Sequence, residues 1–216
     1  MKKKFLITCL LFCFLLSGCG KDNKYMIKDT LNGNSVTIKE KKDIILPDYK
    51  NIPLNINYDD YKEDLKIVDK SYLNQYLIIE YLINNSTVPE MTDEYYENYY
   101  NENIDFYTNS VKASEKTEEE LFKDSEYENL DDYIRTEAEH LWKEEQILME
   151  IARRANLSAN EDDYNEFMKD YLLEGESVEE FEKSLKEKGY TKEKIMDIVT
   201  MSKVSTYLEE INIKEG

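Results

Sequence analysis

Between Asn129 and Ala155 the apolar residues recur at alternating steps of three and four positions. That spacing predicts one amphipathic helix of about seven turns with a single apolar stripe. A helix of this length is marginal in water unless other elements cover the stripe, so we expect the neighbouring segments to pack on it. The stripe residues are Leu130, Ile134, Ala138, Leu141, Leu148, Ala152 and Ala155, with Glu145 as the one polar member.

Helical periodicity also precedes the long helix. A first apolar stripe predicts a helix from Tyr58 to Ile83. Val88-Pro89 then separates this helix from the next predicted one. Thr92 is a candidate N-cap for a second helix at about residues 92–112, and a short acidic helix is predicted near Glu118–Lys123. The stripe of the first helix comprises Tyr61, Leu65, Val68, Tyr72, Tyr76, Ile79 and Ile83.

Three further helices are predicted in the C-terminal third, each with a local signal at its start. Ser158–Glu161 and Ser177–Glu180 have the spacing of capping boxes, and Thr191 is a candidate N-cap for the last helix. Gly189 is expected to stop the middle helix at the left-handed C′ position. Their apolar faces comprise Tyr164, Phe167, Met168 and Tyr171, then Val178, Phe181 and Leu185, then Ile195, Ile198, Val199, Val204 and Leu208.

The N-terminus has the pattern of a bacterial lipoprotein signal. Lys2–Lys4 precede the apolar run Phe5–Leu16, which is too short to span a membrane, and Leu16-Ser17-Gly18-Cys19 resembles a lipobox. We predict a signal peptide over residues 1–18 and lipidation of the Cys19 thiol; the alternative is an ordinary signal peptide followed by a chance cysteine. The other cysteines of the chain lie inside the signal, so neither disulfides nor thiol catalysis is expected.

The segment after Cys19 is polar and lacks helical periodicity. We predict a flexible tether over residues 19–45 and a helical domain over residues 46–216. The domain begins with a short extended segment, because Pro47 and Pro53 bias their predecessors away from helix. Two prolines favour either an edge strand or a clamp along a helix. The predicted fold class is therefore all-α, preceded by a short extended segment.

Charge and composition narrow the possible partners. The net charge of −19 becomes −22 when a signal carrying Lys2, Lys3 and Lys4 is removed. Such a chain repels phosphate backbones, so nucleic acid is not an expected partner. Hydrophobic residues make up 41% of the chain and fall in helical periodicity, which favours a folded protein over a disordered one.

The polar residues form no recognisable catalytic constellation. Glu137-x-x-His140 is half of a di-iron motif, but such a site needs two copies and His140 is the only histidine. We interpret His140 as packed or solvated. The acidic runs Glu118–Glu120 and Glu161–Asp163 lack the ligand spacing of a calcium loop, and we interpret them as solvated faces or as partners of helix N-terminal dipoles. No catalytic residue, metal or cofactor is predicted.

Tyrosine is abundant, with 18 residues, and two adjacent columns of it lie on the second predicted helix. Spaced by four, they cover a wider arc than one packed face requires. In one interpretation both columns are packed, one in the core and one against a neighbour. In the other they form an exposed strip, at least half accessible, that holds client chains. The candidate substrate-binding residues are Tyr95, Tyr96, Tyr99, Tyr100, Phe106 and Tyr107.

The order of these elements resembles the C-terminal, substrate-cradling domain of bacterial trigger factor, over about Leu46 to Ile211. The family pattern I-A-K-x-E-x-I-x-V-[ST]-x-x-E is similar to Ile151-Ala152-Arg153-Arg154-Ala155-Asn156-Leu157-Ser158 followed by Glu161, one position shorter. The resemblance implies an elongated helical domain with arms. A lipoprotein signal stands where the family has its ribosome-binding domain, and the stretch before Val88 has no room for an FKBP-type isomerase domain.

The resemblance therefore implies a holdase-type chaperone that is not an enzyme. It would be anchored in the cell membrane through the lipid on Cys19, at the extracytoplasmic face. Its expected partners are unfolded or partly folded secreted polypeptides, without ribosome or nucleic acid. The alternative is a structural or scaffolding lipoprotein that uses the same helical cradle for one dedicated partner.

Overall fold

The computed structural model describes residues 44–114, 116–123, 125, 127–170, 172, 177–187 and 190–213. The predicted signal peptide, Cys19, nearly all of the predicted tether, Tyr171 and Gly189 lie outside the described residues.

Within the described part the chain forms seven α-helices and no strand, which confirms the all-α prediction. The helices are α1 Lys70–Asn85, α2 Asp93–Ala113, α3 Glu118–Phe122, α4 Leu130–Ala155, α5 Glu161–Asp170, α6 Val178–Glu187 and α7 Lys192–Asn212; two short 3-10 turns, Tyr58–Tyr61 and Asp64–Lys66, precede them.

Three of the four predicted capping signals, at Thr92, Ser177 and Thr191, start helices in the structure. Thr92 caps α2 and Thr191 caps α7, each accepting a hydrogen bond from the backbone N–H three residues later. The Ser177–Glu180 capping box is confirmed. The N–H of Ser177 donates to the Glu180 carboxylate at 3.0 Å, and the N–H of Glu180 donates to the Ser177 hydroxyl at 3.3 Å. These signals succeed because donor and acceptor are three residues apart and need no tertiary partner.

The box predicted at Ser158–Glu161 is wrong by two positions. Asn160 caps α5 instead: its side-chain oxygen accepts from the N–H of Asp163 at 3.0 Å, and the Asp163 carboxylate accepts from the N–H of Asn160 at 2.8 Å. The preceding backbone is held elsewhere, because the N–H of Ala159 donates to Thr200 Oγ1 at 2.9 Å. Helix α5 therefore starts at a second local cap, which begins at Asn160, and the contact with α7 holds the residue before it.

The helix predicted from Tyr58 begins only at Lys70, where Asp69 accepts a hydrogen bond from the N–H of Tyr72 at 2.8 Å. Its buried face also differs from the predicted stripe. Leu73, Ile78 and Leu82 are buried, whereas the side chain of Tyr72 is 55% exposed. A tyrosine has an apolar ring and a polar tip, so tyrosine periodicity alone does not distinguish the packed face from the wetted one.

Helix α4 ends at an asparagine in the left-handed conformation. Asn156 takes the left-handed conformation, with φ of 54°, and the N–H of Leu157 donates to the carbonyl of Ala152 at 2.9 Å. This six-to-one bond is the closing bond of a Schellman motif, and asparagine is the residue that replaces glycine there at least cost. Asn156 thus ends the longest helix.

The chain divides into two compact units, and α4 contributes to both. In the described residues the first unit is 91–141, and the second is 44–90 with 142–213. The first unit has an aromatic core on the N-terminal half of the predicted stripe. Its buried residues are Tyr99, Tyr107, Phe122, Tyr127, Leu130, Tyr133, Ile134 and Ala138.

The second unit has an aliphatic core in which α1, α7 and the C-terminal half of α4 take part. Its buried residues are Tyr49, Ile52, Ile78, Leu82, Ile147, Leu148, Ile151, Ala152, Val204 and Leu208. The last turn of α7 lies against the first turns of α1, where Glu209 accepts hydrogen bonds from Ser71, Asn74 and Gln75. Helix α5 packs on α6 and α7.

Residues 44–57, here called the strap, run without helix along the second unit. Ile45 and Thr87 form an isolated antiparallel bridge with N–H to carbonyl distances of 2.9 and 2.8 Å. Tyr49 and Ile52 enter the core. Of the two predicted arrangements for this proline-containing segment, the structure shows the clamp along helices and not an edge strand.

Candidate functional site

The candidate aromatic residues all lie on α2, and the helix divides them into two sets. Tyr95, Tyr99 and Tyr107 are buried, at 5%, 3% and 8% exposure. Tyr96, Tyr100 and Phe106 are half-buried. The expectation that the six are at least half exposed is therefore wrong. The structure agrees with the packed interpretation of the tyrosine columns, because α3 and the start of α4 cover the inner side of α2.

Two of the buried tyrosines, Tyr99 and Tyr107, belong to an aromatic cluster with edge-to-face geometry. The ring of Tyr133 lies 5.4 Å from that of Tyr107 and 5.0 Å from that of Tyr127, both near perpendicular. The Tyr99 and Tyr107 hydroxyls are 3.0 Å apart. Edge-to-face pairs place the positive ring edge on the negative ring face. Burial raises the pKa of Tyr107, helped by the neighbouring tyrosines, so its hydroxyl stays neutral.

Tyr96 and Tyr100, here called the outer pair, face a different environment. Their ring centroids are 5.9 Å apart, and the guanidinium carbon of Arg135 lies 4.0 Å from the centroid of Tyr96. The Tyr100 hydroxyl donates to Asp131 Oδ1 at 3.2 Å. Burial and this hydrogen bond raise the pKa of Tyr100. The outer pair is thus oriented by two charged residues of α4 and keeps part of its ring surface accessible.

The acidic runs have the positions expected of helix N-termini. Glu118, Glu119 and Glu120 occupy the first turn of α3, where Thr117 and Glu120 form a capping box. At α5, Lys203 Nζ lies 2.7 Å from Asp163 Oδ2. That hydrogen bond, with one from the N–H of Asn160, lowers the pKa of Asp163. Both runs therefore stabilise helix starts.

His140 and Glu137 are half-buried side chains of α4. Among the residues that the structure describes, no three histidine, cysteine or acidic side chains come close enough together to hold a metal ion. Two residues further along α4 from His140, the indole N–H of Trp142 donates to the carbonyl of Pro89 at 2.8 Å. This hydrogen bond holds the Val88-Pro89 segment against α4.

Two polar contacts were not anticipated from the sequence. Asn212, at the end of α7, bonds to the backbone of Tyr49 and Ile52. Glu150, nearly fully buried, pairs with Arg153 and Arg154. The second contact had a signal, since the three residues have the i, i+3 and i, i+4 spacing of helical ion pairs. The first had none, because its partners are about 160 positions apart.

No family model, curated protein or solved structure matches this chain. Among the described helices, none combines the length and apolar character needed to cross a membrane. The functional assignment therefore depends on the chemistry of the residues and on the resemblance noted from the sequence.

Proposed function

We propose that this protein is a lipid-anchored holdase at the extracytoplasmic face of the cell membrane, where it binds unfolded or partly folded secreted polypeptides. Cys19 would carry the lipid. The proposal assigns no catalytic residue and no cofactor. It is supported by the order of helices α1–α7, which is the order on which the resemblance to the trigger factor C-terminal domain is based.

The observation that carries the proposal is the outer pair with Arg135. Tyrosine and arginine are the residue types enriched at protein-binding hot spots, because they offer large contact area and retain a polar group. Among the six candidates the proposed client surface is confined to Tyr96 and Tyr100, since Tyr95, Tyr99 and Tyr107 are buried and Phe106 packs edge-to-face against Tyr107.

Binding at this surface is expected to be weak and reversible. Each client side chain gains roughly 25 cal/mol per Å² of apolar area that it buries, so a small surface gives modest affinity. The net charge, −19 for the full chain and −22 without the predicted signal, favours clients that combine basic and apolar residues, and added salt should weaken their capture. Weak binding suits a protein that must release its clients.

The test is suppression of aggregation of a reduced, unfolded secretory protein. We expect wild type to protect and Tyr96→Ser with Tyr100→Ser to protect less, at unchanged helicity by circular dichroism. Tyr72→Ser is the matched control, because Tyr72 is an exposed helical tyrosine in the other unit. Absence of protection by wild type would refute the holdase function; equal loss in the control would refute the assigned surface.

A scaffold for one dedicated partner is the second candidate. It is favoured by the small exposed apolar area: Ile67 and Tyr72 lie close together in the chain and are about half exposed, whereas most large apolar side chains of the described residues are covered. In cells, cross-linking should then yield one partner, lost with Ile67→Ser/Tyr72→Ser and kept with Tyr96→Ser/Tyr100→Ser. A holdase would instead cross-link to many proteins.

A further inference from the structure

We draw no further inference here: the strongest candidate, the exposed apolar surface patch of Ile67 and Tyr72 around the start of α1, carries none, because nothing in the part of the chain that the structure describes shows what covers it.

Discussion

The buried carboxylate of Glu150 allows a quantitative test of the second unit. The side chain is 3% exposed and accepts hydrogen bonds from Arg153 Nε and Nη2, both at 2.7 Å, and from Arg154 Nε at 2.8 Å. The hydrogen bond from Arg153 is the largest cause that holds the pKa of Glu150 below its ordinary 4.5, with Arg154 contributing and burial opposing. The perturbation is Glu150→Gln, which keeps the shape and removes the charge.

The expected loss of stability follows from how exposed the two arginine partners of Glu150 are. A fully buried pair broken on one side costs several kcal/mol, but here Arg153 is half exposed and regains water when the charge is lost. The loss should therefore approach that of one or two charge-assisted hydrogen bonds, about 1 to 3 kcal/mol. For a chain of this size each kcal/mol lowers the melting temperature by about 2 to 4 °C.

The way in which the stability difference changes with pH follows from the lowered pKa of Glu150. A carboxyl whose pKa is lowered on folding stabilises the protein above its unfolded pKa, and that stability is lost as the pH falls through its folded pKa. Wild type and Glu150→Gln should therefore differ at pH 7 and converge below pH 4.5, the ordinary pKa. At low pH the wild-type side chain is itself neutral.

The assay is thermal unfolding, monitored by the fluorescence of Trp142, which is a residue of the same helix as Glu150. Glu63→Gln is the control, because Glu63 pairs with Lys66 at 2.6 Å and both side chains are mostly exposed, so no measurable change is expected. Equal melting temperatures for wild type and Glu150→Gln at pH 7, or a difference that persists undiminished at low pH, would refute this account of the ion pair.

Three further predictions concern other parts of the chain. Asn156→Gly should keep or raise stability, whereas Asn156→Val should lower the free energy of unfolding by about 1 kcal/mol or more in urea titrations, because a β-branched residue would be forced to positive φ; equal urea midpoints for the two variants would contradict the assigned helix end. Tyr99→Phe and Tyr107→Phe should be non-additive, with a coupling of about 0.5 kcal/mol or more in a double-mutant cycle, since their hydroxyls share one hydrogen bond; strict additivity would show that the bond contributes nothing. Cys19→Ser should release the protein from membranes with the fold intact, and retention after a salt wash would rule out a single lipid anchor.

The candidate site shows where sequence reasoning about tyrosine stops. Periodicity placed the two columns correctly on α2, and Thr92 set its start. Whether a tyrosine column faces the core or the solvent depends on which residues of other helices pack against it. Tyr133 covers Tyr107 and itself contacts Phe122, whereas Arg135 and Asp131 leave the outer pair partly accessible. Those partners come from α3 and α4, beyond any window of local pattern.

The sequence by itself determined the helical class, the long α4 and the helix starts at Thr92, Ser177 and Thr191, because capping and amphipathic spacing act over three to seven residues. Only the tertiary structure decided the buried face of α1, the contact that holds Ala159 before the local cap of α5, and the position of the strap on the second unit. The Ala159–Thr200 bond and the Asn212 contacts join residues that are 41 and about 160 positions apart. Such pairings form when packed elements bring distant groups together, so no local pattern specifies them.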